Sequence, residues 1–237
     1  MKPEPPLTPQ NTILAPSKRE TWIGLAYIPF HLFFVASIAE LILRTLGRPF
    51  STVELNLVSL LISTVVLMLT MRQFLQASFV RFRAFGTRNL PVLAKGYILR
   101  ILLNVPILLA LSFLIPAELP NPNQDVVTGM VNTYFIPSLF LVVVLAPIVE
   151  EILFRGILFS LLYRRNRTLA YVASTLLFAL IHVMIFLVLD FHLHLLLTML
   201  LYIPAGIAFC WTYEKSGNIL TPILLHGIMN FIAASSG

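Results

Sequence analysis

Apolar stretches long enough to cross a membrane dominate this chain and leave few folds open to it. Crossing about 30 Å of hydrocarbon takes about 20 residues of helix. Seven stretches come close to that length or exceed it, and they are 22–43, 54–73, 97–116, 135–162, 168–190, 193–213 and 217–234. A spanning segment of this kind is a helix, because its backbone polar groups must be paired within the bilayer. We therefore expect an all-α, polytopic bundle of about seven transmembrane helices.

The composition agrees with a membrane protein. Hydrophobic residues make up 58% of the 237 residues and charged residues only 11%, whereas about 25% of a soluble domain is charged. The single cysteine, Cys210, excludes an internal disulfide and a cysteine-based metal cluster, so we expect it to pack in the core. Segment 1–20 is polar and rich in proline, lacks the apolar region of a signal peptide, and is predicted to be a disordered arm.

Basic residues alternate from one side of the predicted bundle to the other. The connection between the second and third spans carries six and no acid, and a second cluster follows the fourth span: Arg72, Arg81, Arg83, Arg88, Lys95 and Arg100, then Arg164, Arg165 and Arg167. The positive-inside rule then predicts a cytoplasmic N-terminus. Arg44 and Arg48 lie on the predicted outer side and are the exception to this distribution. The net charge of +6 thus serves topology, and we expect no nucleic-acid partner.

We divide the membrane part into two segments. Residues 21–134 are predicted to form N-terminal transmembrane helices with a basic cytoplasmic loop, and residues 135–237 a helical core that holds the chemistry. Within the loop, arginines alternate with phenylalanines over 72–88. That pattern is typical of an amphipathic helix lying on anionic lipid, and equally of a basic loop that only fixes the topology.

The stretch "APIVEEILFRGILF" (146–159) places three charges inside the fourth span. A charge at mid-bilayer costs roughly 2.5–3.5 kcal/mol even on lenient scales, so these side chains must face the bundle interior or a wet cavity. Glu151 and Arg155 are spaced i,i+4 and can neutralise each other. That pairing leaves Glu150 without a local partner, which suits a general base. The alternative is that all three form a structural ion-pair network.

Two later spans carry polar residues at a matching depth. His182 lies in "LLFALIHVMIF", and His226 and Asn230 lie one helical turn apart in "ILTPILLHGIMNF". Counted from the cytoplasmic ends of their helices, these residues and Glu150 lie about 14–21 Å deep. We expect the four side chains to meet around one hydrated pocket that is reached from the cytoplasmic side. A single buried histidine usually belongs to the core, but four polar side chains in one layer indicate a functional site.

The three motifs together resemble the CPBP family. They are E-E-x-x-x-R at Glu150, Glu151 and Arg155, F-x-x-x-H at Phe178 and His182, and H-x-x-x-N at His226 and Asn230. This family comprises the type II CAAX prenyl endopeptidases and the bacteriocin-processing or immunity Abi membrane proteins. The resemblance covers about 135–235, some two-fifths of the chain, and the first 130 residues carry no diagnostic motif.

The resemblance implies an intramembrane endopeptidase that cleaves a membrane-associated or prenylated-type peptide. It implies that Glu150 and His182 activate a water, and that His226 and Asn230 stabilise the oxyanion. Glu151, Arg155 and Phe178 would support the shape of the site. A Zn²⁺ ion held by His182, His226 and Glu150 is the alternative, because two histidines and a glutamate are a plausible zinc set, although H-E-x-x-H is absent.

Other functions remain open at this point. The main alternative is a non-catalytic immunity or scaffold protein of the same family, and a proton-coupled transporter is disfavoured because no internal repeat is visible. A serine dyad and an aspartate pair are disfavoured as well, because their motifs are missing. We expect the partners to be the lipid bilayer and a peptide or membrane-protein substrate. The short chain favours the bacterial cytoplasmic membrane as its location.

Overall fold

The computed structural model describes residues 13–114, 120–189 and 192–235. Within these ranges the chain is helical, and the helices are α1 Lys18–Arg44, α2 Thr52–Thr70, α3 Arg72–Phe85, α4 Asn89–Leu114, α5 Pro122–Thr133, α6 Phe135–Tyr163, α7 Arg167–Leu189, α8 His194–Ser216 and α9 Leu220–Ser235. The predicted all-α bundle is confirmed. Residues 1–12 of the predicted arm lie outside the described part.

Six of the apolar helices are long enough to cross a membrane. They are Lys18–Arg44, Thr52–Thr70, the segment Arg72–Phe113 that contains α3 and α4, Phe135–Tyr163, Arg167–Leu189 and His194–Ser216. The seventh predicted span corresponds to α9, which has 16 residues and is therefore only about 24 Å long. The chain is thus a polytopic bundle with six full-length candidate spans and one shorter apolar helix.

The outer surface of the bundle is apolar. Large hydrophobic side chains stand exposed along several spans, among them Leu69, Phe113, Ile136, Val188 and Leu189. A soluble monomer rarely exposes apolar patches of more than a few hundred square ångströms. An apolar surface of this extent is compatible with contact with the lipid hydrocarbon of a membrane, as the hydrophobic stretches of the sequence predict.

The N-terminal part of α1 is fixed to the bundle. Ser17 and Glu20 form a reciprocal capping box, which satisfies backbone N–H groups at the helix start. The carboxylate of the buried Glu20 also accepts a hydrogen bond from the backbone N–H of Phe74 at 3.0 Å. The predicted disordered arm 1–20 is therefore wrong for its last residues, because the cap starts a helix at Lys18 within it.

The basic segment after α2 forms a helix of its own. Arg72–Phe85 is helical, and the chain turns at Gly86, whose φ of 55° lies in the left-handed region that favours glycine. A single 3₁₀ turn then leads into α4. A helix is one of the two interpretations that the pattern of arginines and phenylalanines allowed; its contact with anionic lipid stays a prediction.

Helix α6 is irregular at two places, and the first of them matters for the site. Residues Leu141–Leu145 form a π-helical turn, in which the N–H of Ala146 bonds to the carbonyl of Leu141. The same five-residue spacing would pair the Val142 carbonyl with residue 147. Pro147 has no N–H, so the Val142 carbonyl is left available in the middle of the bundle.

Candidate active site

Glu150 lines a cavity of about 410 Å³ inside the bundle. Its Oε2 atom is 3.9 Å from Nε2 of His182 and 4.0 Å from Nε2 of His226. No described residue makes a hydrogen bond to this buried oxygen. Three helices, α6, α7 and α9, thus bring one carboxylate and two imidazoles together, and Asn230 lines the same cavity.

The imidazole of His182 is fixed by its own helix. Its Nδ1 lies 2.7 Å from the backbone carbonyl of Phe178, one turn earlier. A carbonyl only accepts hydrogen bonds, so Nδ1 carries the proton and donates it, and in the neutral ring Nε2 presents a lone pair toward Glu150. The rings of Tyr202 and Phe178 pack on the imidazole, with centroid distances of 4.3 and 4.6 Å.

The imidazole of His226 is fixed by the second acid of the pair. Its Nδ1 lies 2.9 Å from Oε1 of Glu151, and the ring of Phe209 stacks on it at 4.4 Å. The i,i+4 ion pair expected from the sequence is also present, with Nη1 of Arg155 3.0 Å from the same oxygen. Both charged side chains are fully buried. Glu151 therefore holds an arginine and a histidine at once.

The guanidinium of Arg155 is enclosed by protein. It donates from Nη2 to the carbonyl of Gly206 at 3.1 Å and lies over the rings of Phe178 and Phe209, at 4.5 and 5.0 Å from their centroids. Aromatic faces attract a cation, and the same two rings contact the histidines. Phe178 is thus a packing residue that touches Arg155, His182 and His226.

Asn230 is anchored to α6. Its side-chain amide donates from Nδ2 to the free carbonyl of Val142 at 2.7 Å, which leaves the second amide hydrogen available. The two helices approach closely one turn earlier, where a Cβ built on Gly227 would lie 2.6 Å from the carbonyl oxygen of Val143. The irregular turn of α6 therefore positions the polar face of α9.

The cavity extends toward one end of the bundle only. Its lining comes from the half of α1, α2, α6, α7 and α9 that lies away from the arginine-rich connections, and from α5, through residues such as His31, Asn56, Asn123 and Leu141. On the other side, the buried rings of Phe154, Phe159 and Tyr213 fill the core.

The cavity therefore does not open at the arginine-rich end, from which we expected access on the basis of the sequence. The sequence gives the depth of each residue from the cytoplasmic end of its helix, and that depth does not say which end of the layer is open. The positive-inside rule predicts that this end of the cavity faces the outer side of the membrane.

The spacing of the three candidate ligands bears on a metal. Two zinc ligands at about 2.0–2.1 Å in a tetrahedron lie about 3.3–3.4 Å apart, whereas a water hydrogen-bonded to both at about 2.8 Å can bridge atoms about 4 Å apart. The distances of 3.9 and 4.0 Å fit the water. Among the described residues, no group of three His, Cys, Asp or Glu side chains is placed to hold a metal ion. Zinc at Glu150, His182 and His226 stays a prediction.

Several residues of the site escaped the sequence analysis. The aromatic rings of Tyr202 and Phe209 carry no charge and stood out in no motif, although both lie in an apolar span at the depth of the histidines. The hydrogen bond between Glu151 and His226 joins residues 75 positions apart, and no local spacing indicates it. His31 was visible as a histidine inside the first span, which is a signal in itself.

The comparisons with known proteins agree with the motifs. A family model described as type II CAAX prenyl endopeptidase Rce1-like matches residues 132–232. The searches of curated proteins and of solved structures gave no match. The matched segment contains α6 to α9 almost entirely, and with them Glu150, His182, His226 and Asn230. The chain is thus an integral, multi-pass membrane protein whose residues 132–232 are similar to the Rce1-like family of type II CAAX prenyl endopeptidases.

Proposed function

We propose that this chain is an intramembrane endopeptidase that hydrolyses a peptide bond of a membrane-associated peptide or protein. The family is a protease family. The observation that carries the proposal for this chain is that His182 and His226 both lie within 4.0 Å of Glu150 in the lining of one cavity. A water that bridges these atoms would be the nucleophile.

In the first step, Glu150 acts as general base. The water donates one hydrogen to Oε2 of Glu150 and the other to the Nε2 lone pair of His182. As Glu150 takes its proton, the water oxygen forms a bond to the carbonyl carbon of the substrate. The π electrons of the C=O bond move to the carbonyl oxygen, which becomes an oxyanion.

The oxyanion is stabilised by His226 and Asn230. Asn230 has one amide hydrogen left after its bond to Val142, and a protonated His226 donates from Nε2. Glu151 supports the imidazolium, because its carboxylate accepts from Nδ1 at 2.9 Å. Donors aimed at developing charge in a site that excludes bulk water are often the largest single contribution to catalysis.

In the last step, the tetrahedral intermediate collapses. Glu150 returns its proton to the amide nitrogen of the leaving peptide, the C–N bond breaks, and the oxyanion becomes the carbonyl of the new carboxyl terminus. The reaction breaks one O–H bond of the water and the peptide C–N bond, and it forms a C–O bond and an N–H bond, so no redox partner is needed. The side chains of Arg155 and Phe178 take no part in these steps and hold Glu151, His182 and His226 in place.

The test compares two glutamate substitutions in membranes. Glu150→Gln removes the base with little change in volume, and Glu40→Gln removes an exposed carboxylate that pairs with Arg44. New peptide termini in the membrane proteome should appear with the unsubstituted chain and with Glu40→Gln, and be absent with Glu150→Gln at equal expression and melting temperature. If Glu150→Gln yields the same termini, the proposal is wrong. If none of the three chains yields new peptide termini, the proposed peptidase function is wrong and a scaffold or immunity role is favoured. The bacterial cytoplasmic membrane remains the predicted location.

A further inference from the structure

We propose that the part of the cavity wall formed by α1, α2 and α5 binds the backbone of the substrate and admits only an uncharged segment, with His31 as its main hydrogen-bonding group. The inference rests on the proposed function and adds to it the residues that select the substrate. It concerns residues before 132, which lie outside the segment matched by the family model.

His31 lies in the same cavity as Glu150 but takes no part in the mechanism. It sits in a π-helical turn, His31–Val35, two residues after Pro29 in α1. Such single turns occur frequently at functional sites. An ionisable side chain inside a transmembrane helix is costly and marks a functional position by default. His31 therefore calls for a role, and its place in the lining gives it access to whatever fills the cavity.

The orientation of His31 is set by α2. Its Nδ1 lies 2.8 Å from Oγ of Ser63, which is fully buried. No described residue makes a hydrogen bond to its Nε2. One nitrogen thus fixes the ring, and the other remains for a ligand. This is the arrangement in which a side chain can offer one directed hydrogen bond to a peptide group.

The remaining polar groups of the wall are uncharged. Asn56 donates from Nδ2 to its own helix at 3.0 Å, which leaves its Oδ1 as an acceptor. Ser59 likewise donates to the carbonyl of Leu55 at 2.7 Å. Helix α5 adds the amides of Asn123 and Gln124, whose nitrogens donate to the hydroxyls of Tyr202 at 3.2 Å and of Thr128 at 3.4 Å. Together these groups leave mainly side-chain oxygens as acceptors among apolar side chains, and such acceptors can pair with the N–H groups of a peptide backbone.

The lining also limits what can be bound. Among the described lining residues, Glu150 is the one Asp, Glu, Lys or Arg, and the reaction uses it. A charged substrate side chain would be buried without a partner, which costs several kcal/mol in a protein interior. The wall therefore favours a segment made of uncharged residues and rejects one with Lys, Arg, Asp or Glu at the same place.

A purely structural role for His31 makes a different prediction. If its bond to Ser63 only joined α1 to α2, then His31→Phe and Ser63→Ala would lower the melting temperature to a similar extent, and ligand binding would be unaffected. If His31 binds the substrate, His31→Phe weakens binding by about three- to tenfold, the effect of one lost neutral hydrogen bond. His31→Gln, whose side-chain amide offers a donor and an acceptor, should restore part of the lost affinity.

The experiment measures binding, so that it does not depend on catalysis. The probe is a fluorescent, end-capped 16-residue Leu/Ala peptide, and a second peptide carries one Lys at its centre. Both are titrated against the full chain with Glu150→Gln in nanodiscs. We expect the neutral peptide to bind and the Lys peptide to bind at least tenfold more weakly. Adding His31→Phe to the Glu150→Gln background should lower the affinity for the neutral peptide. Phe33→Leu, at an exposed neighbouring position, is the matched control and should have no effect.

The inference is overturned if His31→Phe leaves the affinity for the neutral peptide unchanged or if the Lys peptide binds equally well. It is also overturned if the neutral peptide does not bind. Its failure is distinct from that of the proposed function. If Glu150→Gln abolishes hydrolysis while His31→Phe leaves peptide binding unchanged, the proposed peptidase function stands and the proposed substrate-binding role of His31 is wrong. If the peptide binds as expected but no hydrolysis occurs, the binding role stands and the proposed peptidase function is wrong.

Discussion

Nδ1 of His226 and Oε1 of Glu151 lie 2.9 Å apart, although the two residues belong to different helices and are 75 positions apart in the chain. The same oxygen accepts from Nη1 of Arg155 at 3.0 Å. The second glutamate of the E-E pair therefore links the structural arginine to a histidine that faces the base. Stability and catalysis share one carboxylate, and substitutions can separate them.

The ion pair should show this separation. Arg155→Leu leaves Glu151 buried without its counter-charge, and we expect a loss of about 3–5 kcal/mol in the free energy of unfolding. Adding Glu151→Leu should recover most of that loss, because replacing both partners of a buried pair by apolar groups is often nearly neutral. Peptidase activity should stay lost in the double variant, since His226 no longer has its acceptor. Unfolding in detergent and turnover check the two effects; recovery of both would contradict a role for Glu151 at His226.

Close contact of α9 with α6 predicts an effect at a glycine. In Gly227→Ala, the added methyl group would lie 2.6 Å from the carbonyl oxygen of Val143, and overpacking of this kind typically costs about 1–3 kcal/mol. We also expect reduced turnover, because the helix that moves away carries His226 and Asn230. Gly129→Ala in α5 is the matched control, since a Cβ there meets nothing within 4 Å. Equal melting temperatures for both variants would show that α9 can adjust freely.

Metal removal tests the nature of the nucleophile. The spacing around Glu150 fits a water, so we expect the purified protein to retain its activity after chelation and to lose it in Glu150→Gln. Metal analysis of the same sample gives the stoichiometry. One zinc per chain that leaves together with the activity, and returns with it on adding zinc, would establish the metal alternative.

The open end of the cavity can be located with a thiol reagent. In a Cys210→Ala background, Gln124→Cys places a thiol in the lining near α5, and Arg165→Cys places one in the arginine-rich connection. A membrane-impermeant maleimide should label the first in intact cells and the second only after lysis. The reverse pattern would show that the cavity opens to the cytoplasm and that the charge distribution misleads in this protein.

The sequence alone was sufficient for the fold and for the polar layer, and the reasons are physical. Long apolar runs have one solution in a bilayer, and charges such as Glu150 are conspicuous in them. The partner of Glu151 across the bundle was beyond reach, because a contact between distant helices depends on their rotation and packing. Tyr202 and Phe209 were missed because an aromatic ring in an apolar span has no distinguishing pattern.

The direction of the cavity could not be derived either. Residues at one depth are compatible with a pocket that opens at either end, and the outcome depends on side chains such as Phe154 and Leu141, which differ only in where they pack. His31 and its wall come from the half of the chain without a motif. The roles of the four site residues therefore remain predictions, with a geometry that now allows each to be tested.

Pro147 makes the site depend on an imperfection of α6. Because residue 147 has no N–H, the Val142 carbonyl is available to Asn230. Any other amino acid at this position could complete the hydrogen-bond ladder of the helix and compete with Asn230 for that oxygen. Selection for thermal stability would then favour replacements of Pro147 that raise the melting temperature and lower the catalytic activity.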